Sequence, residues 1–282
     1  MEKILIPTYV DDQIQFEMFC HCLQKNWQGK KNITVVIGKP YDANIAKKVD
    51  TTLSHNFDSG WNIEVFDGTI GSVPGLCEMG TNKHIFSDVD TLVLDAKDFL
   101  LKPSDMFDYK NELYTVNFYF PDKNHSDLYD SVPGDFDVPA VSSMTPWIWS
   151  PSLLDGYMKW VESHYGKHTT WQGYPGGLEY CTWFVWAWNT PEIKQLIHTN
   201  PQNCPLRFGG IWPGQNVAGA LQEEKDFDRW PERKWWKHTR KVNHVECLET
   251  TCRVLKRYDI DPDFVDAWQA DKLALPDYNY VH

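Results

Sequence analysis

The chain has 282 residues, 42% of them hydrophobic and 15% aromatic, with 39 acidic against 27 basic side chains and a net charge of −12. That length buries a substantial core, and the overall acidity argues against nucleic acid or anionic membranes as partners of the surface as a whole. No stretch approaches the 18 continuous apolar residues of a membrane span, and residues 1–7 lack a secretory signal pattern.

The first hundred residues alternate strand-like and helix-like patterns. Residues 3–8 read as a strand ended by a turn, and 13–26 as a helix with Ile14, Phe16, Phe19, Cys22 and Leu23 on its apolar side. Residues 32–38 predict a buried strand, 42–54 a helix and 61–67 a third strand. A fourth strand over 84–87 runs into Asp88-Val89-Asp90, and 91–94 continues as an extended piece. This alternation predicts an α/β fold with a mostly parallel, Rossmann-like sheet flanked by helices, and a ligand crevice outside the carboxyl ends of the strands. One continuous domain is expected, with 1–100 binding a nucleotide and 101–282 an acceptor.

Further along, 111–120 is strand-like, and 121–139 is a polar loop with five Asp, long enough to act as a lid. Residues 144–151 lead into a helix over 152–165; 173–177 forms a turn, and 191–198 looks helical. The C-terminal section holds the run 229–241, a short strand over 242–245 and an acidic tail. The seven cysteines are scattered, and Cys20-His21-Cys22 is too tight for an ordinary zinc site, so reduced thiols and a cytosolic location are expected (host cytoplasm if the chain is viral).

Asp88 and Asp90 carry the sharpest chemical signal. Carboxylates in a turn next to buried strands are costly unless a cation or donors satisfy them. A hard divalent ion there would neutralise a leaving pyrophosphate. Four other Asp-x-Asp spacings occur, at 135–137, 226–228, 259–261 and 261–263, but only this one is bracketed by apolar strand-like runs. A turn or helix-cap role is the competing reading.

The opening Ile4-Leu5-Ile6-Pro7-Thr8-Tyr9, the spacing of about eighty residues to Ser87-Asp88-Val89-Asp90, and Thr91-Leu92-Val93-Leu94 resemble the nucleotide-sugar half of GT-A type glycosyltransferases. The segments 143–151 and Gly177-Leu178-Glu179-Tyr180 are similar to a bacterial and viral branch of that superfamily. The resemblance covers residues 3–200. It implies a nucleotide-sugar donor, a UDP-sugar in the favoured case, held near Thr8, Tyr9, Asp11, Asp67, Lys83 and Asp88. It also implies a divalent metal, Mn2+ with Mg2+ as the alternative, on Asp88 and Asp90. A third metal ligand, commonly His, would come from late in the chain. His244 is the candidate and His238 its rival.

On the acceptor side, Glu179 follows a Gly-rich turn at the head of an aromatic stretch, where burial would raise its pKa, and is the candidate base or hydroxyl ligand. Thr145, Trp147 and Trp149 join it; two tryptophans two residues apart face one side of an extended chain, as an acceptor platform or as core. In the run 229–241, six of thirteen residues are Lys or Arg and three are Trp. Three readings stand: a solvated face anchored by its tryptophans, a donor-diphosphate contact, or a surface for a nucleic-acid acceptor such as hydroxymethylated viral DNA. The function expected is metal-dependent sugar transfer to a glycan or to such DNA. A metal-dependent nuclease or phosphatase and a non-catalytic carbohydrate-binding protein are the alternatives of other classes.

Overall fold

In the computed structural model, the residues described are 3–8, 13–27, 32–39, 43–69, 91–94, 96, 98–100, 116–120, 140–144, 147–149, 151–165, 186–195, 208–211, 235–238 and 245–274. The strands are β1 Lys3–Thr8, β2 Ile33–Lys39, β3 Trp61–Thr69, β4 Thr91–Val93, β5 Asp98–Leu100, β6 Val116–Phe120, β7 Ala140–Met144, β8 Trp147–Trp149, β9 Phe208–Ile211 and β10 Trp235–His238. The helices are α1 Gln13–Asn26, α2 Ala43–Asn56, α3 Pro151–Tyr165, α4 Pro191–Lys194, α5 Val245–Arg257 and α6 Pro262–Ala274.

The main sheet has the order β3-β2-β1-β4-β8. Its first four strands are parallel, and β8 closes against β4 in antiparallel register, Thr91 opposite Trp149 and Val93 opposite Trp147. This is the mostly parallel α/β sheet that the alternating pattern predicts. Ile4 pairs with Ile33 and with Leu92, so Ile4, Ile6, Ile33, Val35, Ile37 and Leu92 share one face, and all join one buried cluster. Helices α1 and α2 cover that face with Phe16, Phe19 and Leu23 from α1, and Ile45, Val49 and Leu53 from α2. In α2 these recur every four residues, which turns one stripe of the helix to the core. The opposite face holds Leu5, Thr34, Val36 and Thr91, all buried.

The chain's last helices complete the same core. Leu248, Cys252, Val254 and Leu255 of α5 and Val265 and Trp268 of α6 belong to the cluster built on β1 and α1. Helix α5 ends with Asp259 in the left-handed region (φ 59°), and the Ile260 N–H reaches back to the Leu255 carbonyl at 3.1 Å. Asp261 then caps α6, its Oδ1 accepting from the N–H groups of Asp263 and Phe264, with Pro262 as the first helical residue. Lys25 Nζ donates to the Asp259 carbonyl at 3.0 Å, and His21 stacks flat on Phe264, 4.0 Å between ring centres. Lys256 and Asp266 form an ion pair across the α5–α6 hairpin.

Two expectations change. The strand expected over 242–245 is replaced at Val245 by the start of α5, because Val245, Leu248, Cys252 and Leu255 repeat with a helical period. The expected acidic tail contains α6, whose Val265 and Trp268 are buried. The extended piece expected over 91–94 forms the fourth parallel strand as residues 91–93; residues 84–87 lie outside the described set, as does the loop 121–139. Two smaller sheets complete the described strands: β5-β10-β9 and the antiparallel pair β6-β7.

Candidate active site

The strand order reverses at β1: the chain builds outward through β2 and β3, then returns to place β4 on the other side of β1. Such a switch point opens a crevice at the carboxyl ends of the strands, because the connections on either side leave in opposite directions. Thr8 is the last residue of β1, at that end. It is fully buried, and its Oγ1 has no hydrogen-bond partner. Gln15, in the first turn of α1, is also fully buried, with both amide atoms unpartnered. An unsatisfied buried polar group costs about 1–3 kcal/mol, so two at one end of the sheet call for an explanation beyond packing. Thr8 is legible from the sequence as a polar strand end. Gln15 is not among the residues the sequence reading selects, although its i, i+4, i+7 relation to the apolar Phe19 and Cys22 places it on the buried stripe.

Of the other donor-side candidates, Asp67 lies in the carboxyl half of β3, the edge strand two places from β1 and so about 10 Å across the sheet. Tyr9, Asp11, Lys83, Asp88 and Asp90 lie outside the described residues, as do Thr145, Glu179 and His244. The register nonetheless fixes the strand immediately downstream of the acidic pair. Thr91 is buried and sits beside Lys3, at the amino end of β1, and the Leu94 N–H bonds to the Leu5 carbonyl. Residue 91 thus enters the sheet at the end where β1 begins. Thr8 and Thr91 stand about 17 Å apart along the strand direction.

Trp147 and Trp149 both lie in β8, at register positions opposite Val93 and Thr91. The basic-aromatic run contributes Trp235–His238 as β10, the middle strand of its sheet, with β5 on one edge and β9 on the other. His238 ends that strand, paired with Ile211. The backbone of that stretch is therefore committed to two neighbours.

Among the described residues no group of three or more His, Cys, Asp or Glu could hold a metal. Cys20, Cys22 and Cys252 are free and buried; burial pushes all three thiols up, Cys252 to about 12. Buried thiols of this kind are packing groups. Among the described residues no helix is long and apolar enough to cross a membrane.

No family model matches the chain, and no curated protein matches it. Several solved structures align over most of the chain at low similarity. The apo form of the glycosyltransferase GlyE from Streptococcus pneumoniae TIGR4 is 10% identical with a TM-score of 0.42, covering 99% of this chain and 66% of that one. The galactosyltransferase LgtC in complex with donor and acceptor sugar analogs is 12% identical with a TM-score of 0.44, covering 98% of each chain. TarS of S. aureus is 12% identical with a TM-score of 0.37, covering 97% of this chain and 43% of that one. The chain spans just under two thirds of the length of the GlyE structure.

Proposed function

We propose that the protein transfers a sugar from a nucleotide-sugar donor to an acceptor hydroxyl. The observation that carries a ligand site is the unpartnered Thr8 hydroxyl at the carboxyl end of β1, beside the point where the strand order reverses. The acidic motif and its resemblance to GT-A transferases give that ligand its chemistry. In this reading the nucleotide occupies the end of β1, with Thr8 and Gln15 accepting or donating to it, and UDP is the favoured carrier. A base or ribose edge supplies both donors and acceptors, which matches an amide presenting one of each.

Asp88 and Asp90, with His244 as third ligand, are proposed to hold a divalent cation, Mn2+ or Mg2+. Hard oxygen donors suit either ion. When bound, the ion supplies positive charge for the departing diphosphate. Glu179 is proposed to take the acceptor proton, with Thr145, Trp147 and Trp149 holding the acceptor, a glycan. Tyr9, Asp11, Asp67 and Lys83 are proposed as further donor contacts.

The test is a thermal-shift screen of UDP, GDP and CMP and their common sugar conjugates, each with and without Mn2+. A rise in Tm with one nucleotide class, larger with metal, supports the reading. No shift with any nucleotide under either condition contradicts it.

A further inference from the structure

A second recess lies against the exposed Lys47, Lys48 and Thr51 of α2. It is a groove of about 630 Å3 between α1, α2 and the start of α6, within the size range of small-molecule sites. Its wall on α2 carries the ammonium groups of Lys47 and Lys48, with the imidazole of His55 about two turns further along the helix. In a chain of net charge −12 this is a local reversal of sign. No described hydrogen bond or salt bridge engages these three groups. Facing them is Glu17 of α1, its carboxyl pushed above the usual range first by burial and then by Asp271, with Lys48 and His55 opposing that shift. At one end stands Phe264, whose ring is held by its parallel stack on His21 and by the Asp261 cap behind it.

Several polar groups of the groove are already committed and hold its shape. Thr51 donates to the Lys47 carbonyl at 2.8 Å, and the Asn56 amide to the Thr52 carbonyl at 2.8 Å. What remains open is cationic on one side, a carboxyl on the other and an aromatic wall. A bare anion would use only the first of these. A neutral sugar would use only the last two.

We infer that this groove binds an anionic sugar, its phosphate or carboxylate on Lys47, Lys48 and His55, its hydroxyls on Glu17 and its ring face against Phe264. The aromatic wall suits the C–H face of a pyranose, and the ammonium groups suit a charge that the rest of the surface repels. The site is separate from the one proposed for the donor and does not depend on the sugar-transfer reading.

Titration calorimetry on the full chain tests this with four probes: glucose 6-phosphate, glucuronate, inorganic phosphate and glucose. At least one of the two anionic sugars should saturate a single site at least about tenfold more tightly than phosphate or glucose. Lys48→Glu should weaken that binding by about tenfold or more at unchanged Tm, and Glu17→Gln should narrow the preference for sugar over phosphate. Should Lys48→Glu not fold, Lys47→Gln/His55→Gln serves instead. Asp90→Ala and Thr8→Val should bind as the parent does. The inference is overturned if neither anionic sugar saturates, or if phosphate or glucose binds as tightly. It is equally overturned if the folded α2 variant binds unchanged, or if binding is lost in Asp90→Ala or Thr8→Val.

Discussion

The two faces of the main sheet are built differently. The face under α1 and α2 is apolar from Ile4 to Ile37 and draws its cover from both ends of the chain, since α5 and α6 add Leu255, Val265 and Trp268 to the cluster that α1 begins. The opposite face carries Thr34 and Thr91 among its buried residues, and the antiparallel β8 sets Trp149 in register with Thr91. The apolar face is interrupted at one end of β1. Thr8 follows Ile4 and Ile6 in the alternation and leaves a hydroxyl unpaired, and Gln15 does the same with an amide. A face optimised for stability alone would have Val and Leu at those positions. Under the proposed function, the exception is where stability and ligand binding diverge.

The largest effect expected is on chemistry. Asp90→Ala should lower turnover of a nucleotide sugar by about a thousandfold, the loss of several kcal/mol of charge stabilisation, with little change in Tm. Full activity in this variant would remove the metal assignment. The register gives the same variant a second use. If Asp90→Ala also weakens nucleotide binding to the degree that Thr8→Val does, the two regions serve one ligand despite the 17 Å or so of strand between Thr8 and the start of β4. Independent effects would split them into two sites.

Next in size is the covering of the apolar face. Trp268→Ala removes a buried side chain that meets Phe99 edge-on at 5.7 Å, and should destabilise the protein by about 3–5 kcal/mol in urea unfolding. A loss near zero would show that α6 is not part of the core. Thr8→Val should act in opposite directions on two readouts. It relieves an unpaired hydroxyl, raising the stability of the free protein by up to about 1 kcal/mol, while weakening nucleotide binding by about tenfold. A purely structural threonine would show the first effect without the second.

The smallest effect concerns His21, whose pKa is lowered by burial first and by Lys25 second, with Asp261 opposing. A base with a folded pKa below its unfolded value of about 6.5 binds fewer protons when folded, so it costs stability as pH falls below that value and nothing well above it. Glu17 works the other way. Its raised pKa favours the folded state at low pH, and that contribution is lost as pH rises from about 4.5 through the folded value. His21→Phe should therefore flatten the fall in Tm between pH 6.5 and lower pH without removing the opposing trend from Glu17. An unchanged slope would show that His21 is not the titrating group.

The sequence is most readable where one physical signal acts alone. Helix α1 spans residues 13–26 as its apolar spacing predicts, and β1 to β3 arise from runs such as Ile33-Thr34-Val35-Val36-Ile37. The C-terminal helices escape a reading by pattern because their surfaces are densely charged. In α6, Asp263, Asp266 and Asp271 mask the Val265 and Trp268 stripe, and only the Asp261-Pro262 cap announces the start. The strand β10 is hidden for a related reason. Trp235-Trp236-Lys237-His238 reads by composition as a basic-aromatic surface, yet its backbone is the middle of a sheet, which depends on partners more than a hundred residues away for β5. For the site, the polar strand end at Thr8 is legible. Gln15 is harder to read, since its polarity points to the wet side of an amphipathic helix while its spacing to Phe19 and Cys22 puts it on the dry one.

A nucleotide-sugar site at the carboxyl end of β1 is tested most directly by donor cleavage. The parent and Thr8→Val would be incubated with UDP-sugars and then GDP- and CMP-sugars, with Mn2+ and with chelator, and the released nucleotide quantified. The parent should release nucleotide from one donor class, dependent on metal, with KM raised about tenfold in Thr8→Val. Release from no donor by the parent, or identical KM in the two proteins, would contradict a nucleotide-sugar site there.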